Sequence, residues 1–273
     1  MIFKDLKNKF ILGTVQFGKA YGISNLKKKP ISLNEKDRIF KYCKKIVLRH
    51  LDSAEDYNFK FKPKNKKFWI IDTKISSENQ KNLKKIIQEK YKDFILDTVY
   101  IRNPEKLLNK SGAKLFESLL ELKKKKFFKK IGVSVYDIRS LNKLISIYKI
   151  DVVQLPYNII DRRFEKIFYK LKKKKILIYA RSIFLQGLLL DDTNIKFKKN
   201  SLKNFHKFAQ NQQLSLCLNF VKKNKFVDKY VIGIQNLKNL EQILNTKIKS
   251  KLSYPKYLAS GDKKLIDPRL WKN

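Results

Sequence analysis

Strand-like runs that alternate with amphipathic helical stretches constrain the fold of this chain more than any other feature of its sequence. The runs are rich in Val, Ile, Tyr and Phe and lie at 10–17, 47–54, 68–75, 96–103, 130–135, 151–158, 176–184 and 230–234. The helical stretches repeat apolar residues every three to four positions and lie at 79–91, 113–128, 138–148, 163–171, 202–223 and 237–244. Such alternation favours an α/β protein with a parallel sheet and helical crossovers.

Eight strand-like runs with intervening helices in 273 residues predict a single (β/α)8 TIM barrel over residues 1–273. A doubly wound open sheet is the alternative, but no strand-like run is followed by the G-x-G-x-x-G turn of dinucleotide-binding sheets. The segment 58–67 is basic and interrupted by Pro63, so we expect the second crossover helix to be short or absent. No internal repeat or shift in composition marks a domain boundary, and we therefore predict one domain.

The composition excludes several classes of protein. Two cysteines, Cys43 and Cys217, cannot build a disulfide framework or a multi-cysteine zinc site, and we predict no metal. Both fall among apolar helical positions and are expected in the core, while His50 is expected to be buried inside the barrel. No apolar run approaches the roughly 18 residues of a membrane span, and the first ten residues do not form a secretory signal. These features predict a cytoplasmic protein without a membrane partner.

The charge balance is strongly basic, with 64 Lys and Arg against 24 Asp and Glu and a net charge of +40. Only eight of these 64 cations are arginine, and the lysines are spread over the whole chain. Nucleic-acid readers concentrate charge on one element and use Arg for bidentate contacts. The pattern therefore favours solvated lysine faces, and a specific nucleic-acid partner is the least favoured reading. The sequence gives no oligomeric state.

Polar residues cluster where the predicted strands end. In a barrel of this kind, the carboxyl ends of the strands and the loops that follow them carry the working residues. These positions hold Gln16, Asp52, Tyr57, Lys74, Arg102, Asn103, Ser134, Gln154, Asn158, Arg181, Ser182 and the segment 233–236. Polar groups at the mouth of an apolar barrel need partners or a ligand. The sequence therefore predicts a binding site at this end.

Three of these residues form a chemical set: Asp52 ends the second strand, Tyr57 follows in its loop, and Lys74 ends the third strand. A lysine beside a tyrosine favours the phenolate, and a carboxylate holds the ammonium in place. A phenol whose pKa is lowered from about 10 towards neutrality can protonate a developing alkoxide. The set therefore predicts general acid–base chemistry.

Six short segments extend this set over nearly the whole chain. They are LGTVQFG at 12–18, RHLDSAEDY at 49–57, DTK at 72–74, IGVS at 131–134, VQLPYN at 153–158 and VIG at 231–233. In these segments, in their order and in their spacing, the chain resembles the aldo-keto reductase family.

The resemblance implies a barrel that binds NADP(H) or NAD(H) without a Rossmann domain and passes hydride between the nicotinamide and a small-molecule carbonyl substrate. Carried over by position, Tyr57 is the proton donor, Lys74 tunes its pKa and Asp52 anchors Lys74. The resemblance also implies cofactor contacts: Ser134, Gln154 and Asn158 at the nicotinamide, Arg181, Ser182 and Gly187 at the pyrophosphate, and Gly233, Gln235 and Asn236 at the adenosine end. The helix that begins at Leu237 would favour an anion at its amino terminus.

Two positions depart from the family. Arg102 stands where the family has a catalytic histidine; a guanidinium cannot shuttle a proton, but it can donate hydrogen bonds to the substrate oxygen and favour the Tyr57 phenolate. Arg181 stands where many members have an aromatic ring against the nicotinamide, and Arg can stack on a flat ring. We predict an active oxidoreductase with altered pH dependence. The alternative is a catalytically weak or silent barrel that acts as a binding or regulatory protein.

The segments RSIFLQG at 181–187 and DPRLW at 267–271 are similar to a branch of the family found among bacterial surface-sugar biosynthesis enzymes. This similarity implies a role in carbohydrate metabolism, with an aldehyde, ketone or sugar-like carbonyl as substrate. Gln235, Asn236 and Lys238 leave the choice between NADP(H) and NAD(H) open.

Overall fold

In the computed structural model, residues 9–23, 25, 28–59, 67–76, 82–190, 199–247 and 253–271 are described. Within them, a closed ring of eight parallel strands runs in chain order, and the (β/α)8 barrel is confirmed. The strands are β1 Phe10–Gly13, β2 His50–Asp52, β3 Ile70–Ile75, β4 Ile95–Ile101, β5 Lys130–Ser134, β6 Val152–Pro156, β7 Leu177–Arg181 and β8 Lys229–Gly233.

The strand register brings the carboxyl ends of the strands to one rim. Gly13 is paired with Asp52 on one side and with Gly233 on the other, which closes the ring between β1 and β8. Because side chains alternate between the two faces of a strand, residues two apart along a strand both point into the barrel. His50 and Asp52 therefore occupy successive layers of the interior.

The helices pack outside the barrel. They are α1 Leu33–Lys45, α2 Leu83–Tyr91, α3 Lys110–Lys124, α4 Ile138–Ile147, α5 Glu165–Lys173, α6 Lys199–Ala209, α7 Gln213–Lys223 and α8 Leu237–Asn245. Single turns of α-helix lie at Val15–Gly18 and Lys263–Ile266, and 3-10 turns lie at Pro104–Leu108, Leu185–Gly187, Lys256–Leu258 and Pro268–Leu270. None of the helices in the described part of the chain is long and apolar enough to cross a membrane.

The helices differ from the sequence-based expectation in two places. Helix α1 was not predicted, although Ser32 and Glu35 have the spacing of a helix start and the Ser32 hydroxyl accepts a hydrogen bond from the Glu35 N–H at 3.3 Å. The stretch 202–223 is two helices, because Gln210 and Asn211 adopt left-handed backbone conformations with φ of 43° and 63°. The expected weak crossover at 58–67 falls largely on 60–66, outside the described residues.

The apolar interior contains both cysteines, as predicted. Cys43 and Cys217 are fully buried, and burial raises the pKa of the Cys43 thiol to about 12. Such thiols are inert at neutral pH.

The amino-terminal half of the barrel interior holds a buried polar network, here called the floor cluster: His50, Asp72, Asp97, Lys130 and Lys229. His50 Nε2 lies 3.0 Å from Asp72 Oδ1, and Lys229 Nζ lies 2.8 Å from His50 Nδ1. Lys130 Nζ contacts both carboxylate oxygens of Asp97, at 2.8 and 2.7 Å. His50 is thus buried inside the barrel, as predicted. Its partners neutralise one another, and we interpret the cluster as structural.

Candidate active site

A cavity of about 1110 Å³ opens at the carboxyl ends of the strands. Its volume is slightly above the usual range of ligand pockets, roughly 300 to 1,000 Å³. Of the residues predicted from the sequence, it is lined by Asp52, Tyr57, Lys74, Arg102, Ser134, Gln154, Arg181, Ser182, Gly187, Gly233 and Gln235. The structure therefore brings most of the predicted site together.

A buried ion pair lies at the base of this cavity. Lys74 Nζ lies 2.6 Å from each carboxylate oxygen of Asp52, and both side chains are buried. The strand register explains the contact, because Asp52 pairs with Asp72 on β3 and Lys74 is the next residue on that face. Burial lowers the pKa of the Lys74 ammonium, against the opposing effect of the Asp52 carboxylate.

The Tyr57 ring lies beside this pair, with its centroid 5.8 Å from Lys74 Nζ. Its phenol has a raised pKa, caused first by burial and next by the Asp52 carboxylate, whereas Arg102 and Arg181 lower it. The structure does not support the expectation that neighbouring cations bring this pKa towards neutrality, because burial and the Asp52 carboxylate outweigh the two arginines. Tyr57 is consequently protonated at neutral pH and suited to act as an acid.

Close packing against Gly18 positions the Tyr57 loop. A Cβ atom at position 18 would lie 1.8 Å from the Tyr57 carbonyl oxygen and 2.7 Å from the carbonyl carbon of Asn58. Any larger side chain would push the loop away. The position of the phenol therefore depends on a glycine 39 positions earlier in the chain.

Gln154 crosses the barrel to the same carboxylate. Its Nε2 donates a hydrogen bond to Asp52 Oδ1 at 2.7 Å, so it helps to hold the ion pair. Its Oε1 is buried and has no hydrogen-bond partner among the described residues, and the same is true of Gln16 Oε1. Both residues line the cavity, which therefore offers two buried acceptors to a ligand.

Arg102 lies beside Tyr57 but is engaged by a residue that the sequence analysis did not single out. Its Nη2 donates to Asp56 Oδ1, while Lys19 Nζ lies 2.8 Å from Asp56 Oδ2. Burial alone would raise the pKa of the Asp56 carboxyl, but hydrogen bonds from Arg102 and Lys19 lower it to about 2. The guanidinium carbon of Arg102 is 5.8 Å from the Tyr57 ring centroid.

Arg181 stacks on a tyrosine of the protein. Its guanidinium carbon lies 4.0 Å from the centroid of the Tyr136 ring, and that of Arg269 lies 3.5 Å from the same centroid. Two guanidinium groups this close to one centroid cannot share a face, so Tyr136 lies between them. The segment 267–271 thus reaches the cavity through Arg269.

Two predicted cofactor contacts do not line the cavity. The Asn158 amide donates to the Ser182 carbonyl at 2.9 Å and accepts from the N–H groups of Ile160 and Asp161 at 2.9 and 2.8 Å. Because the backbone occupies the hydrogen-bonding groups of this amide, Asn158 stabilises the loop that carries Ser182. The sequence shows that an amide ends the strand but not which groups it will bond.

Asn236 is the second correction. Its side chain caps α8 by accepting from the Asn239 N–H at 2.8 Å, and the Leu237 N–H donates to the Glu35 carboxylate at 2.6 Å. The helix amino terminus expected to favour an anion therefore already has acceptors from within the protein.

Several cavity residues were not predicted as site residues. They include Thr14, Val15, Lys19, Tyr21, Asp56, Tyr136, Phe184, Leu214, Asn239, Gln242 and Arg269. Asp56 carried a signal, since it lies within the segment 49–57, and Arg269 lies within 267–271. Lys19 and Tyr136 carried none that separates them from the many other lysines and tyrosines.

The comparisons with known proteins agree with this geometry. Residues 9–254 match the model of the Aldo/keto reductase family. The holo form of the aldo-keto reductase AKR11C1 from Bacillus halodurans is similar in structure, with a TM-score of 0.74, 14% identity and coverage of 96% of this chain and 95% of that chain. The glycerol dehydrogenase AKR11B4 from Gluconobacter oxydans has a TM-score of 0.65, 14% identity and coverage of 89% and 88%. The chain matches none of the curated protein sequences with which it was compared.

A closed parallel barrel with a buried carboxylate–ammonium pair and a phenol at its carboxyl rim defines a class of oxidoreductase. The family match covers most of the chain, whereas the solved structures, at this level of identity, support the fold alone. The chain belongs to the aldo/keto reductase family.

Proposed function

We propose that the protein reduces an aldehyde, ketone or sugar-like carbonyl with a reduced nicotinamide dinucleotide, NADPH or NADH. The observation that carries this proposal is the arrangement of Tyr57, Lys74 and Asp52 at the base of one cavity. Within an oxidoreductase family, that arrangement supplies a proton donor next to a positive charge.

The cavity has groups that suit such a cofactor. The unpartnered Gln154 Oε1 and the nearby Ser134 hydroxyl can bind a carboxamide, and Arg181 and Ser182 can bind phosphate oxygens. A Cβ at Gly233 would lie 2.6 Å from Gln16 Nε2, so glycine makes room for the Gln16 amide in the lining of the cavity. When bound, the reduced nicotinamide supplies the hydride.

The residues of the chain handle the proton. With its raised pKa, Tyr57 carries its proton at neutral pH and donates it to the carbonyl oxygen as negative charge develops there. The phenolate that results faces the Lys74 ammonium, which stabilises it. Asp52, held by Gln154, keeps the ammonium in place. In the oxidative direction the phenolate is the base.

A silent barrel that only binds its ligand is the second candidate, because Arg102 replaces the histidine of the family and is engaged by Asp56. Quenching or shift of NADPH and NADH fluorescence tests cofactor binding, and loss of absorbance at 340 nm with a broad panel of aldehydes, ketones and sugars tests turnover. Binding followed by oxidation of the cofactor supports the proposal. Binding of the cofactor without its oxidation by any member of the panel would favour the silent barrel.

Similarity to the surface-sugar branch supports a role in carbohydrate metabolism, and we extend the proposal to a sugar-derived carbonyl. A cytoplasmic location, a single domain over 1–273 and the absence of a nucleic-acid partner stay predictions. Turnover of sugar-derived aldehydes at least as fast as that of simple aliphatic aldehydes would support this part of the proposal.

A further inference from the structure

Two cations converge on one carboxylate beside the proton donor. Lys19, Asp56 and Arg102, here called the mouth cluster, all line the cavity that contains Tyr57. Lys19 Nζ contacts one Asp56 oxygen at 2.8 Å, and Arg102 donates to the other. One carboxylate cannot neutralise two cations, so the cluster retains a positive charge at the place where a substrate must enter.

A further cation adds to this excess. Arg181 has no carboxylate within ion-pair distance among the described residues. Its Nη2 donates to the Val135 carbonyl at 3.0 Å and its Nη1 to the Ser182 hydroxyl at 3.3 Å, while its buried Nε lacks a partner in the described part of the chain. By contrast, Lys74 is neutralised by Asp52. Arg181 therefore adds a cation to a lining that also contains Glu105 and Asp137, and the cation excess lies at the mouth cluster itself.

The mouth cluster is accessible enough to exchange partners. The side chains of Lys19, Asp56 and Arg102 are 39%, 41% and 33% exposed. Ion pairs at this exposure contribute only about 0–1 kcal/mol, because water screens them. An incoming anion can therefore replace the Asp56 carboxylate on these cations at low cost.

We propose that the natural substrate carries an anionic group, a carboxylate or a phosphate, a short carbon chain away from its carbonyl. In this proposal, which rests on the proposed function, the anion takes the hydrogen bonds from Lys19 and Arg102 that Asp56 accepts in the structure. Asp56 is then an internal stand-in for the substrate anion, which keeps the two cations oriented towards the cavity. Its own negative charge opposes binding, so its removal strengthens anion binding.

Matched substrate pairs test the preference. Comparing succinic semialdehyde with its methyl ester tests for recognition of a carboxylate. Comparing glyceraldehyde 3-phosphate with glyceraldehyde tests for recognition of a phosphate. We expect kcat/KM for the charged member of at least one pair to exceed that of its neutral partner about tenfold, the effect of one charge-assisted hydrogen bond. The ratio should shrink as salt rises. The pair with the larger ratio identifies the anion, and equal kcat/KM values within both pairs would overturn the proposal.

Two variants should act with opposite signs. Lys19→Gln should lower the charged-to-neutral ratio of kcat/KM, and Asp56→Asn should raise it. Lys173→Gln, which removes an exposed lysine at the end of α5, is the control for net charge and should leave the ratio unchanged. A cluster with only a structural role would give both variants the same loss with every substrate.

Calorimetric titration with succinate and with inorganic phosphate measures the same preference without turnover. The affinity for the anion that the wild type binds should be about tenfold higher in Asp56→Asn. It should be about tenfold lower in Lys19→Gln. Equal affinities in all three proteins, or no binding of either anion, would overturn the inference. Lack of turnover with unchanged anion binding would count only against the proposed function.

Discussion

The barrel interior holds two buried charged centres that differ in what surrounds them. In the floor cluster, carboxylates, ammonium groups and an imidazole contact one another, and its residues do not line the cavity. At the base of the cavity, the Asp52–Lys74 pair is also buried, but it faces a space that contains Tyr57 and the unpartnered Gln154 Oε1. The comparison shows that buried charge alone does not make a site. Access to a cavity and an unused hydrogen-bonding group distinguish the Asp52–Lys74 pair from the floor cluster.

The largest effect should come from the phenol. Tyr57→Phe removes the proton donor, so single-turnover oxidation of the reduced cofactor should slow by about 10²–10⁴-fold. Cofactor affinity, measured by fluorescence titration, should stay near the wild-type value. Tyr169→Phe is the control, because Tyr169 is 71% exposed on α5 and does not line the cavity, and its rate should match that of the wild type. Equal losses in both variants would refute the assignment of Tyr57.

Breaking one ion pair in each centre tests the comparison itself. Lys74→Met leaves Asp52 buried without its cation, which should cost about 3–5 kcal/mol of unfolding free energy and reduce kcat by about 10²-fold or more. Lys130→Met leaves Asp97 without its partner on the floor; since Lys130 is partly exposed, we expect about 1–3 kcal/mol and little change in kcat. Denaturant titration and steady-state kinetics measure the two quantities. A large fall in kcat for Lys130→Met would mean that the floor takes part in the reaction.

The pH dependence of kcat should distinguish this site from one in which the phenol has a pKa near neutrality. Because the Tyr57 pKa is raised above its usual value of about 10, the phenol stays protonated through the neutral and mildly alkaline range. We therefore expect kcat for reduction to show no decline between about pH 7 and pH 9.5. A decline centred near pH 8, absent from the binding of the cofactor, would show that bound ligands lower the pKa of the phenol.

The smallest effect should come from the mouth cluster. The Asp56 pKa of about 2 lies below the ordinary Asp value, so its contribution to stability is present above about pH 4 and is lost as the pH falls towards 2. Since Asp56 is 41% exposed, screening limits this contribution to about 1 kcal/mol or less. Unfolding of the wild type and of Asp56→Asn should differ by this amount at pH 6 and converge near pH 2. If the difference in unfolding free energy persists at pH 2, its cause is packing and not the charge of Asp56.

The fold could be predicted from the sequence because most strands fall in short apolar runs that alternate with amphipathic helical stretches. Asp52, Tyr57 and Lys74 could be predicted because they fall in segments with a recognisable order. The partners of the two arginines could not be predicted, since Arg102 meets Asp56 and Arg181 meets Tyr136 only when the barrel closes. Asn158 shows the same limit, because its hydrogen bonds to the backbone depend on a loop conformation that its sequence position does not reveal.

The central claim is that Tyr57 and a reduced nicotinamide act on the same carbonyl. A crystal structure of the protein with oxidised cofactor and an unreactive carbonyl analogue tests it most directly. The account predicts a nicotinamide beside Ser134 and Gln154, with the analogue's oxygen within hydrogen-bond distance of the Tyr57 hydroxyl. A cofactor bound at another part of the surface, or an oxygen bonded to Arg102 while Tyr57 points away, would contradict it.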